Sequence, residues 1–124
     1  MNTNSDFQKV FSELSTIMRN FSSSLDCARD DDEVYYLNTT HIMKNKKPLY
    51  FGSVHIKKNY VSYHLMPVYV FPDLLKGMSP ALKKRMQGKS CFNFKSVDAD
   101  LFKELGELTG AGRQAYKKAG YLQK

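Results

Sequence analysis

A chain of 124 residues, 42% apolar and 25% charged with a net charge of +7, has the size and composition of one globular domain that closes a core without disulfides or a structural metal. Its two cysteines, Cys27 and Cys91, form neither a CxxC pair nor part of a Cys/His cluster, which argues against a zinc module or redox dithiol and reads as two reduced thiols. Charge is uneven: Met1 to Ile42 holds seven acidic and three basic residues, a net −4, and Met43 to Lys124 sixteen basic and five acidic, a net +11, an excess of Lys that is read as serving solubility ahead of attracting phosphates or nucleic acid.

The chain opens on Asn2, Asn4, Ser5 and Asp6, where a secretory signal needs hydrophobes, so a cytoplasmic location is expected. An amphipathic helix follows from about Ser5, a candidate N-cap, to Phe21, with Phe7, Val10, Phe11, Leu14, Ile17, Met18 and Phe21 at helical spacing. That stripe is a core face. Ser22-Ser23-Ser24 ends it, and Leu25 to Ala28 and Glu33 to Thr39 then read as a strand pair joined by a solvated acidic turn across Arg29 to Asp32.

After a basic loop from Lys44 to Lys47, Pro48 to Met66 reads as two strands. Apolar residues alternate at Tyr50, Val54 and Ile56 on the first and at Val61, Tyr63 and Leu65 on the second. The parity change across Lys58-Asn59 requires an even loop, most simply of two residues, and pairs Ile56 with Val61 and Val54 with Tyr63. Ser53, His55, Lys57, Tyr60, Ser62 and His64 are thereby assigned to the opposite face, with His55 across from Ser62 and His64 across from Ser53.

Pro67 takes the chain out of the sheet, and the longest apolar run, Leu65 to Leu75, is broken by Pro67, Pro72 and Asp73, so no bilayer span is expected. Pro72 and Pro80 carry the next two helix starts, with Ser79 as N-cap of the second and Gly88 placed to end it after Gln87. Met66, Met78 and Met86 suit the edge of a core. Ser90 to Phe94 is a strand with Phe92 and Phe94 on one face and Cys91 and Asn93 on the other. A helix capped by Asp98 runs through Leu101, Leu105 and Leu108 to an expected interruption at Gly110 and Gly112. Beyond it a short helix from Arg113 to Ala119 would bury Ala115, Tyr116 and Ala119. With four or five strands between terminal helices, the expected class is α+β: a mainly antiparallel sheet covered by an N-terminal helix and C-terminal helices, as a single domain over residues 1–124.

Chemistry-bearing residues are few. The hairpin face of Ser53, His55, Lys57, Tyr60, Ser62 and His64 offers hydrogen-bond donors suited to a carboxylate or phosphate and no carboxylate to act as a general base, so ligand binding is expected rather than catalysis. The plain alternative is a wetted sheet face with ordinary cross-strand hydrogen bonds. Two imidazoles could begin a metal site, but no Asp or Glu lies in the hairpin to complete it. No GxSxG turn supports a nucleophile. Gly110-Ala111-Gly112 before Arg113 could present amides to an anion, although a helix break explains it better. Lys83, Lys84, Arg85 and Lys89 form the best nucleic-acid candidate, without a helix-turn-helix, RNA-recognition or zinc-finger signature.

The block Lys47-Pro48-Leu49-Tyr50-Phe51-Gly52, the hairpin, Leu65-Met66-Pro67-Val68-Tyr69 and Gly88-Lys89-Ser90-Cys91-Phe92-Asn93-Phe94 together resemble the YdhG-like family of small bacterial domains of unknown function. The resemblance spans roughly Tyr35 to Tyr116 and implies helices on a sheet in a cytoplasmic bacterial protein. Some members are labelled frataxin-like iron chaperones, a role that needs gathered carboxylates. The first helix offers only Asp6 and Glu13, and the compact group Asp30, Asp31, Asp32 and Glu33 sits in a turn. The sequence reading is therefore a non-enzymatic YdhG-like module that binds a small anionic ligand or a protein partner, with iron delivery or nonspecific nucleic-acid binding as alternatives. It calls for no cofactor and no membrane partner, and it permits a homodimer without requiring one.

Overall fold

The structure, a computed structural model, describes residues 3–23 and 25–122. The first helix, α1, runs Thr3–Arg19 and so begins ahead of Ser5, the expected cap. Four strands follow among the described residues, β1 Asp26–Asp30, β2 Val34–Ile42, β3 Pro48–Ile56 and β4 Val61–Leu65. Helix α2, Met66–Val70, and a 3-10 turn at Pro72–Leu75 then lead to α3, Pro80–Lys83. Strands β5, Met86–Gln87, and β6, Cys91–Phe94, precede the long helix α4, Ala99–Lys118. The strands make one antiparallel sheet in the order β1-β2-β3-β4-β6-β5, an α+β architecture.

One sheet face is apolar and receives the helices. Val10, Leu14 and Met18 of α1 are buried, with Phe7 and Phe11 nearly so, against Tyr35, Leu37, Phe51, Val54, Val61, Tyr63 and Leu65. From α4, Phe102 packs edge-on to Phe94 at 4.9 Å and Tyr116 edge-on to Phe51 at 5.9 Å. Tyr63, with no exposed surface, meets Thr109 Oγ1 at 2.6 Å. Thr109 gives its own proton to the Leu105 carbonyl at 2.7 Å, so the Tyr63 phenol must be the donor.

The hairpin has the expected register: Ile56 pairs with Val61, Val54 with Tyr63, His55 with Ser62 and Ser53 with His64. The Lys57 N–H closes the turn on the Tyr60 carbonyl at 2.8 Å. One assignment is overturned. Tyr50 does not share the inner face with Val54, because β3 carries an extra residue where Leu37 pairs with Gly52 but Asn38 with Tyr50. This bulge turns Leu49 and Phe51 inward and Tyr50 outward, onto the side of Ser53. Gly52 makes the bend possible, since a Cβ there would stand 2.7 Å from the His64 carbonyl oxygen and 2.8 Å from Met18 Cε.

Two further expectations are corrected. Gly88 does not end the Pro80 helix. Ser79 caps it as expected, its Oγ accepting the Leu82 N–H at 3.2 Å, but α3 lasts one turn before Met86 and Gln87 pair with β6, and Gly88, at φ 77°, forms the β5–β6 turn. Nor do Gly110 and Gly112 interrupt the last helix: α4 is continuous, with Asp98 Oδ1 accepting the Leu101 N–H at 3.1 Å at its start. The glycines are contact points instead. A Cβ on Gly112 would lie 2.8 Å from Pro67 Cβ, and one on Gly110 3.1 Å from Phe21 Cε1. Tyr116 is buried as expected, whereas Ala119 is exposed.

Candidate functional site

The antiparallel ladder fixes which side chains share the sheet face opposite the helices. One transverse row reads Arg29, Tyr36, Ser53, His64, Cys91 and Gln87 across all six strands. The row beside it reads Val34, His55, Ser62 and Asn93. Ser53, His55, Ser62 and His64 therefore stand together as expected, while Lys57 and Tyr60 lie in the turn, Lys57 exposed and Tyr60 half-buried.

Aromatic rings cover the centre of this face. Tyr36 and Tyr50 stack at 4.8 Å, and His64 meets Tyr50 edge-on at 5.0 Å. Beneath them Ser53 has no exposed surface, bonded to the Tyr50 hydroxyl and, at 2.9 Å, to His55 Nε2. His64 Nε2 meets Ser90 Oγ at 2.7 Å. Each imidazole thus has one nitrogen engaged by a serine, with Nδ1 as its second polar atom. Asn93 Oδ1, a row neighbour of Ser62, is buried without a hydrogen-bond partner among the described residues.

Electrostatics keep both rings neutral at pH 7. Burial lowers the pKa of His55 first, then the charges of Lys57 and Arg29; burial and then His55 lower that of His64. Burial also raises the Tyr50 phenol well above its ordinary value, so it stays protonated. Arg29 is partly offset by Asp31, 2.6 Å from its Nε. The assembly is a connected set of hydroxyls and neutral imidazoles beside positive charge, able to donate and accept hydrogen bonds.

Comparison of the chain with family models, with curated proteins and with solved structures yields no match.

Tyr36, Tyr50 and Ser90 belong to the site although the hairpin alternation did not include them. For Tyr50 a signal was present: the unbroken apolar run Leu49-Tyr50-Phe51 followed by Gly52 departs from strict alternation, the mark of a bulge. The other candidates disperse. Gly110 to Arg113 lies within α4, so no helix start presents amides there, and Arg113 donates to the Ser23 carbonyl at 2.7 Å. Asp30 pairs with Arg19 at 2.9 Å, and Asp31 Oδ1 caps the β1–β2 turn by accepting the N–H groups of Glu33 and Val34. Among the described residues no group of three or more His, Cys, Asp or Glu is placed to hold a metal ion, and no helix is long and apolar enough to cross a membrane. Of the basic cluster, Lys84 and Arg85 converge with Lys95 on a groove of about 690 Å³ between α3 and the start of α4, apart from Lys83 and Lys89.

Proposed function

We propose that this chain is a non-enzymatic binding module of the YdhG-like kind, which holds a small anionic ligand, or the anionic group of a protein partner, on the outer face of its β3–β4 ribbon. The observation that carries the reading is geometric: Ser53 bonded to His55 Nε2 and to the Tyr50 hydroxyl, and His64 Nε2 bonded to Ser90 Oγ, gather hydrogen-bonding groups on one sheet face with the exposed Lys57 in the adjoining turn. The neutral rings and the serine and tyrosine hydroxyls can supply hydrogen bonds to an anion, and the Lys57 ammonium supplies the opposite charge. No carboxylate stands among these groups to drive proton abstraction, which is why binding is favoured over catalysis. The bacterial, cytoplasmic setting comes with the family resemblance, and iron delivery finds no ligand cluster among the described residues to support it.

Inorganic phosphate is the probe. Added to the labelled full chain, it is expected to raise the ring pKa values of His55 and His64, since a bound anion stabilises the imidazolium, and His55→Gln should weaken that effect at His64. Ring signals unmoved by phosphate at about a hundred times the millimolar affinity range would end the proposal.

A second reading rests on a separate observation, the convergence of Lys84, Arg85 and Lys95 on one groove, and assigns that surface to nonspecific contact with nucleic-acid phosphates.

A further inference from the structure

Four of the five large apolar side chains exposed among the described residues flank one end of the sheet: Ile42 and Met43 where β2 ends, and Tyr69 and Val70 at the end of α2. Between these two segments lies a groove of about 500 Å³, lined by Leu49, Met43, Val70 and Tyr121, with His41 and Lys44 among its polar groups. That volume is within the range of small-molecule sites, about 300–1,000 Å³, whose walls are mostly apolar with a few placed polar groups.

The walls are set by ordered structure. The β2–β3 ladder is irregular between Asn38 and Ile42, where Thr39 Oγ1 donates to the Leu49 carbonyl at 2.8 Å and accepts the His41 N–H at 3.2 Å. His41 packs on Tyr121 at 4.9 Å, and Tyr121 in turn meets buried Tyr116 edge-on at 5.5 Å. The loop at the rim closes through Met43 N–H to the Lys47 carbonyl at 2.9 Å and Lys46 N–H to the Met43 carbonyl at 2.8 Å, with Lys46 at φ 68°.

Charge selects the occupant. Among the described residues no Asp or Glu lines the groove, and the rim loop carries Lys44, Lys46 and Lys47 without an acidic residue. We propose that this groove binds a small carboxylic acid with an apolar body, the hydrocarbon against Leu49, Val70 and Tyr121 and the carboxylate toward Lys44. It shares no residue with the ribbon face, and its test is independent of that site.

Decanoate below its micellar concentration is the probe, with decanol and decyltrimethylammonium as head-group controls, added to the isotope-labelled full chain. Decanoate should give saturable shifts centred on His41, Leu49, Val70 and Tyr121, while decanol binds more weakly and the cation more weakly still. Lys44→Glu, at an exposed position, should reduce decanoate affinity about fivefold, the scale of one exposed charge pair. Val70→Asp should abolish saturation while leaving the melting transition in place. Equal affinity for the three head groups, decanoate shifts that do not saturate or that centre elsewhere, or indifference to both substitutions would overturn the proposal. So would self-association seen by sedimentation with the same signals moving with protein concentration, which would give the groove to a second copy.

Discussion

His55 and His64 differ from surface histidines in their surroundings: a serine engages Nε2 of each, and burial opposes the charged form of both. Their folded pKa values lie below the ordinary 6.5, so between those values and 6.5 the unfolded chain binds more protons than the folded one. Stability therefore rises with pH across that window, is fully present above it, and is lost as pH falls through the folded values. The slope cannot exceed about 1.4 kcal/mol per pH unit for each imidazole. Urea unfolding from about pH 5 to about pH 8 should show this fall below neutrality, and the double substitution His55→Gln with His64→Gln should flatten it. A flat wild-type profile would mean that the rings titrate as if in water. Asp31, held to about 2 chiefly by Arg29 and the Glu33 amide, and Asp30, held low chiefly by its hydrogen bond to Arg19, contribute stability above the ordinary carboxylate value and lose it only in acid, below the histidine window.

At the level of elements, α4 separates what local pattern decides from what tertiary contact decides. Its N-cap at Asp98 and its buried Leu105 and Leu108 follow from cap chemistry and spacing, which is why both were legible in the sequence. The glycines were not, because a Gly that weakens a helix and a Gly that lets another chain segment approach look the same in one dimension. Gly106 and Gly112 should consequently respond oppositely to a methyl group. Gly112→Ala forces a Cβ to 2.8 Å from the Pro67 ring, which cannot rotate away, and should destabilise by about 1–3 kcal/mol despite better helix propensity. Gly106→Ala meets Ile17 Cγ2 at an ordinary 3.7 Å and should stabilise by about 0.5–1 kcal/mol. Thermal or denaturant unfolding of the two variants checks the pair, and a common sign would refute the close-approach account of Gly112. The same distinction explains β3. Hairpin parity fixed four cross-strand pairs and brought Ser53, His55, Ser62 and His64 to one face, whereas the broken alternation at Leu49-Tyr50-Phe51-Gly52 marks a bulge locally but not the close approach of the His64 backbone and Met18 that requires glycine there.

For the molecule as a whole, the two edges of the sheet differ in how their charges are paired. The acidic residues of the β1–β2 turn engage Arg19 and Arg29 at the β1 edge of the sheet. Lys84, Arg85 and Lys95 line a groove at the other side, where β6 and β5 lie, with Asp98 the single acidic residue among its described lining, and none of the three cations forms an ion pair among the described residues. Such an arrangement attracts a polyanion in one orientation without reading its bases, since the nearest aromatic ring, Phe94, is 2% exposed and cannot stack on a base. Three cations can neutralise about three phosphates, so binding of a single-stranded oligonucleotide should weaken with salt at a log–log slope of about −2, from roughly −0.7 per phosphate. Lys84→Glu with Arg85→Glu should remove most of that slope, whereas His64→Gln on the ribbon should leave it unchanged. Fluorescence anisotropy across a salt series measures both. A slope unchanged by the double charge reversal would place any nucleic-acid contact elsewhere on the surface. Affinity that persisted at high salt would require base stacking, which the burial of Phe94 denies to this groove.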